Sequence, residues 1–118
     1  MRRTLFAGVD IGSSFTKVVL LDEAGAISGS CVRRSGTDFN RSAVHCLDES
    51  LMEAGAESGD IKYCISTGYG RKNISLANDT RTEIGCHGRG CYSSFSEEII
   101  IIDIGGQDNK VISLDSNG

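Results

Sequence analysis

No apolar stretch in this sequence approaches the roughly 20 residues a membrane-spanning helix needs. Residues 1–9 open like an export signal, but Asp10 interrupts before an apolar core of useful length has formed, so that reading is not expected to hold. The cytoplasm is therefore the expected compartment, and the Asn73-Ile74-Ser75 and Asn78-Asp79-Thr80 triplets carry no glycosylation meaning without secretion. Positive charge is scarce: the net charge is −4 and the pI about 5.1. That excludes a general basic surface for nucleic acid or an anionic membrane. Any phosphate must be met locally, by backbone amides, a few cations or a metal. The five cysteines (Cys31, Cys46, Cys64, Cys86, Cys91) are an odd number with no C-x-x-C pair, so reduced thiols are expected rather than a disulfide framework. Aromatic residues make up only 6%, which argues against an assembly scaffold with a large apolar patch.

What is present reads as an α/β chain. Residues 4–9, 15–21 and 26–34 are β-rich runs separated by turn signals at Gly12-Ser13-Ser14 and Asp22-Glu23-Ala24-Gly25. Three antiparallel strands are expected. A helix over 40–54 follows, with Val44, Leu47 and Leu51 at helical spacing and Asp38 or Asn40 as its cap. Residues 61–67 predict a strand parallel to the first, residues 68–80 a loop, and 81–95 a helix that contains three glycines. Ile99-Ile100-Ile101-Ile102 reads as a central strand buried on both faces, ending at Asp103. Another strand starts at Val111, and Asp115-Ser116-Asn117-Gly118 is a turn signal with nothing after it, which reads as a chain cut short.

Residues 9–22 (V-D-I-G-S-S-F-T-K-V-V-L-L-D) align without a gap against residues 102–115 (I-D-I-G-G-Q-D-N-K-V-I-S-L-D). Seven of the fourteen positions are identical, including Asp10/Asp103, Gly12/Gly105, Lys17/Lys110 and Asp22/Asp115. The offset of 93 residues is too long for a solenoid unit, so one hairpin occurs twice in two structural halves. In each copy a strand delivers an aspartate at its carboxyl end, where α/β proteins place ligands. Two residues later a glycine lets the chain turn and brings amides toward an anion. A carboxylate beside such a cradle repels phosphate unless a cation lies between them. Mg²⁺ suits that position, because it takes one or two carboxylates plus phosphate oxygens and retained waters. One D-x-G-S turn is a common hairpin feature; two copies matched at Asp, Gly and Lys point to phosphate.

Paired D-x-G hairpins resemble the phosphate-binding design of the actin, Hsp70 and sugar-kinase superfamily. Within it, G-V-D-I-G-S-S-F-T-K (8–17), T-G-Y-G-R (67–71), E-I-G-C-H (83–87) and D-I-G-G-Q-D-N-K-V-I (103–112) resemble the ATPase activators of 2-hydroxyacyl-CoA dehydratases and the benzoyl-CoA reductase ATPase subunits. The resemblance implies a ribonuclease H-like/actin-like lobe with a mixed five-stranded sheet over 1–98 and the start of a second lobe over 99–118. It also implies an ATP-hydrolysing homodimer that drives a low-potential electron into a CoA-thioester dehydratase or reductase. Asp10 and Asp103 would hold Mg²⁺, usually through water. Gly12, Ser13, Ser14, Gly105 and Gly106 would cradle ATP or ADP phosphates, and Lys17 would neutralise them. A shared [4Fe–4S] cluster is implied too, but its cysteines and the adenosine-binding G-G motif are expected past Gly118, so the fragment alone is expected to be inactive.

Other residues leave alternatives open. Glu83 would orient the attacking water, or stabilise the N-terminus of its helix through charge. Gln107 could position water near the γ-phosphate, whereas Asp108 could simply face solvent. Arg71 would contact phosphate or the electron-accepting partner, or merely anchor its loop. Cys86 and Cys91 lie about 140° apart on a helix, which favours packed or interface thiols over a metal site, and His87 reads as a packed or hinge residue. The glycines of the 81–95 helix would let it cross a partner helix closely. A sugar-type kinase of the same superfamily needs an acceptor-activating carboxylate; no convincing one lies between the hairpins, and Asp79 is left open. A nucleotide-dependent scaffold is the third reading.

Overall fold

The computed structural model describes residues 3–105 and 109–118 and forms two compact units, Met1–Thr80 and Arg81–Gly118. In the first unit, β1 (Leu5–Ile11), β2 (Phe15–Leu21) and β3 (Ile27–Arg34) run antiparallel as the sequence predicts. Helix α1 (Phe39–Ala54) then carries the chain back, so that β4 (Ile61–Thr67) pairs with β1 in parallel. Strand β5, only Asp79–Thr80, adds to β4 in parallel inside the stretch that reads as a loop in sequence. The sheet order β3-β2-β1-β4-β5 is the mixed five-stranded arrangement expected for an actin-like lobe.

Strict alternation explains this sheet. Leu5, Ala7, Val9 and Ile11 of β1 and Thr16, Val18 and Leu20 of β2 are buried on one face. Ala43, Cys46, Leu47, Ser50 and Leu51 of α1 complete the core there. Each fully buried aliphatic side chain contributes about 1.5–3 kcal/mol, so this face alone drives the unit to fold. Asp38 starts α1 by accepting from the Arg41 amide at 3.1 Å, and Gly55 ends it in the left-handed region at φ 64°.

The second unit holds helix α2 (Glu83–Ser94), β6 (Ile99–Ile104) and β7 (Asn109–Leu114). A side chain at Gly88 would meet Leu114 Cδ2 at 3.3 Å, so this glycine lets α2 lie against β7; the close approach expected against another helix is made here to a strand. Strand β6 is also not buried on both faces. It pairs with β7, and α2 lies over one face, the one that carries Asp103 and Lys110; on the other, Ile100, Ile102 and Ile104 are 70%, 71% and 78% exposed.

Close approach matters most at Gly29 of β3, where an added Cβ would sit 2.3 Å from the Ser50 carbonyl oxygen on α1. Backbone cannot yield as a side-chain tip can. Gly29→Ala should therefore push α1 off the sheet and cost about 1–3 kcal/mol, measurable as a lower urea midpoint.

Candidate functional site

The two hairpins present the same polar pair. In the β1–β2 ladder Asp10 stands opposite Lys17, with Lys17 Nζ 3.7 Å from Asp10 Oδ2. In the β6–β7 ladder Asp103 stands opposite Lys110, again with Nζ 3.7 Å from Oδ2. Such partly exposed pairs contribute only about 0–1 kcal/mol, so their effect is to aim the carboxylates rather than to hold the fold. The last identity of the repeat is also explained: Asp22 Oδ1 accepts from the Ala24 and Ala26 amides, and Asp115 Oδ1 from the Asn117 amide. Both aspartates start turns.

At the first hairpin, the Gly12 amide donates to the Phe15 carbonyl at 2.9 Å, closing a turn with Ser13 and Ser14 at its centre. Among the described residues nothing accepts from the Ser13 or Ser14 amides. Two adjacent amides left without an internal acceptor at a strand–turn junction form an anion-binding concavity. At the second hairpin Gly105 follows β6 and is exposed, while the expected Gly106 and Gln107 lie outside the described residues.

The T-G-Y-G-R loop packs directly on Asp10. Gly68 has φ 93°, and a Cβ there would lie 2.5 Å from both Asp10 Oδ1 and the Ile11 carbonyl oxygen, so no other residue fits. The Gly70 amide donates to the Ile11 carbonyl at 3.0 Å. Arg71 spends its guanidinium on the Gly68 carbonyl at 3.0 Å, while its own carbonyl accepts from Ser66 Oγ at 2.7 Å; this is the loop-anchoring alternative. Thr67, paired with Asp10 across the parallel ladder, has a buried hydroxyl with no hydrogen-bond partner among the described residues.

Around Asp103 the sequence reading missed one partner. His87 Nδ1 lies 3.2 Å from Asp103 Oδ2, and Lys110 Nζ also reaches Glu83 Oε2 at 3.4 Å. Glu83 and His87 are four residues apart on α2, hence on one helical face. That spacing was visible in E-I-G-C-H. Thr82 caps the helix by accepting from the Gly85 amide, so Glu83 also meets the N-terminal charge preference. Asp79, the kinase candidate, accepts from the Thr80 amide through Oδ1 at 2.8 Å.

The donor chemistry fits magnesium. Asp10 and Asp103 are hard oxygen donors whose side chains keep 32% and 29% of their exposure, enough for a hydrated ion to reach them. Among the described residues no group of three or more His, Cys, Asp or Glu could hold a metal, and magnesium that retains its waters does not require one. Three of the five thiols are poorly suited to ligate an iron–sulfur cluster. Cys46 and Cys64 are buried in the first unit's core, and burial pushes both thiols up. Burial, helped by a hydrogen bond to Glu49, pushes Cys31 up to about 12.

Comparison with known proteins gives a consistent result. The model of the BadF/BadG/BcrA/BcrD ATPase family matches residues 7–118. The activator of lactoyl-CoA dehydratase from Anaerotignum propionicum is 40% identical over 111 residues, covering 94% of this chain and 42% of the relative. The activator of the 2-hydroxyisocaproyl-CoA dehydratase from Clostridium difficile, solved with bound ADPNP, superposes with a TM-score of 0.88 at 39% identity, covering 97% of this chain and 42% of that one. Component A of the (R)-2-hydroxyglutaryl-CoA dehydratase from Acidaminococcus fermentans also gives 0.88, at 29% identity, over 97% and 44% of the two chains. The present chain thus spans less than half the length of these relatives.

Two measurements check this description. Thr67→Val removes a buried hydroxyl that has no partner, so the ligand-free protein should gain about 1 kcal/mol or stay level in chemical denaturation; a clear loss would mean the hydroxyl is bonded. Thiols held protonated are slow nucleophiles. With iodoacetamide at pH 8, mass spectrometry should find Cys31, Cys46 and Cys64 at least about tenfold slower in the folded protein than in the urea-unfolded one.

Proposed function

The chain belongs to the BadF/BadG/BcrA/BcrD ATPase family, and we propose that it forms the first phosphate-binding part of an ATP-hydrolysing activator. The whole protein would deliver a low-potential electron to a CoA-thioester dehydratase or reductase, as a cytoplasmic homodimer. The observation that carries the reading is the repeated hairpin: one carboxylate opposite one lysine in each copy, with acceptor-free turn amides beside Asp10.

In this reading the Ser13 and Ser14 amides bind phosphate oxygens, and Gly12 supplies the turn that aims them. Gly105 and Gly106 do the same in the second copy. Lys17 offsets phosphate charge while restraining Asp10. Asp10 and Asp103 are the residues that would hold magnesium, which would neutralise triphosphate charge when bound. Glu83, restrained by Lys110, orients the attacking water, and Gln107 assists it. His87 adds a second restraint on Asp103.

The test is steady-state ADP release by the whole protein. Release should depend on magnesium and need no sugar or small carboxylic acid; a requirement for either would exclude an activator. Asp10→Asn and Asp103→Asn should each lower kcat by about 100-fold or more, the scale for losing a preorganised electrostatic contact, with the circular dichroism spectrum unchanged.

A further inference from the structure

We propose that Ser35, just past β3, is the positioning residue that sets the first hairpin turn for phosphate; this rests on the reading of that turn given above. Ser35 is 1% exposed and sits at the centre of a buried polar relay. Its hydroxyl donates to the Gly12 carbonyl at 2.6 Å, and its amide donates to the Ser14 carbonyl at 2.9 Å. Its oxygen lies 2.9 Å from Thr16 Oγ1 on β2, and its carbonyl accepts from the Ser42 hydroxyl on α1.

Proton counting fixes the direction. A serine hydroxyl has one proton, and a carbonyl can only accept. Ser35 therefore gives its proton to Gly12, and Thr16 must donate to Ser35. In a two-residue hairpin turn the first carbonyl commonly accepts from the amide three residues on. Here the Gly12 carbonyl is taken by Ser35, and the Ser14 carbonyl is taken by the Ser35 amide. The Gly12 and Ser14 carbonyls are thus drawn toward the core side of the sheet. The Gly12 carbonyl and the Ser13 amide share one planar peptide unit, so holding the carbonyl inward turns that amide outward; neither the Ser13 nor the Ser14 amide has an acceptor among the described residues.

Thr16 is the built-in control, because its hydroxyl supports Ser35 without touching the turn. Three variants of the whole protein separate the roles: Ser35→Ala, Ser35→Cys and Thr16→Val. Affinity is read for MgADP and for AMP, together with the backbone amide shifts of Ser13 and Ser14 in the nucleotide-free protein. Ser35→Ala should weaken MgADP about tenfold, as expected for one buried hydrogen bond, while AMP binding changes less than twofold and both amide shifts move. Ser35→Cys keeps a weak donor and should lie between, which serves if the alanine variant fails to fold. Thr16→Val should leave the MgADP-to-AMP ratio within twofold, whatever its effect on stability. Wild-type ratios and shifts in the Ser35 variants would overturn the proposal. If nucleotide leaves the Ser13 and Ser14 amides of the native protein unmoved, the phosphate reading fails instead, and Ser35 is left holding the turn for another purpose.

Discussion

Strand register is the constraint on which the rest depends. In both ladders the aspartate and the lysine seven residues later are cross-strand partners, so their side chains share a face. Because side chains alternate with period two, a one-residue slip would send one of the pair to the opposite side of the sheet. The turn length therefore fixes the electrostatics. A weak ion pair suffices, because the backbone ladder has already brought the two groups together.

Much of this was legible. The alternation in β1 and β2, the helical spacing in α1 and the acid at each strand end come from local patterns, which survive folding. The two-residue β5 had no such pattern; its pairing with β4 is a tertiary event marked only by Asp79 and Thr80. The four isoleucines misled for a different reason. Periodicity cannot distinguish a strand covered on both faces from one covered on a single face, and Ile100 and Ile102 turned out exposed. At the site, Asp10, Lys17 and Asp103 were read from the repeat, whereas Ser35 was invisible because a lone serine after a strand looks like any turn residue. His87 reads as a packed or hinge residue, and only its spacing to Glu83 points to the contact with Asp103.

The two copies differ in which face carries a helix. In the first unit α1 covers the face of Val9, Ile11 and Val18, leaving Asp10 and Lys17 on the other. In the second, α2 lies on the face of Asp103 and Lys110, as its contacts from Glu83, His87 and Gly88 show. The equivalents of Val9, Ile11 and Val18 are Ile102, Ile104 and Val111, and all three are exposed. Sequence identity within the repeat thus follows the hairpin and its polar pair, while the burial of its apolar positions follows whichever helix packs there. This is why Lys110 is shielded and doubly paired whereas Lys17 remains largely open to solvent.

The absence of room at Gly68 has a mechanical consequence. There is no room for a side chain between Gly68 and the Asp10 carboxylate, nor between Gly70 and Ile11 or Phe39, so the loop packs closely on the strand tip. A displacement of that carboxylate toward Gly68 must carry the segment with it. Tyr69 rides between the two glycines, with its ring tilted against Phe39 at the start of α1 and 62% of its surface in solvent. A shift at the acidic tip would therefore disturb a segment whose ring stands mostly in solvent.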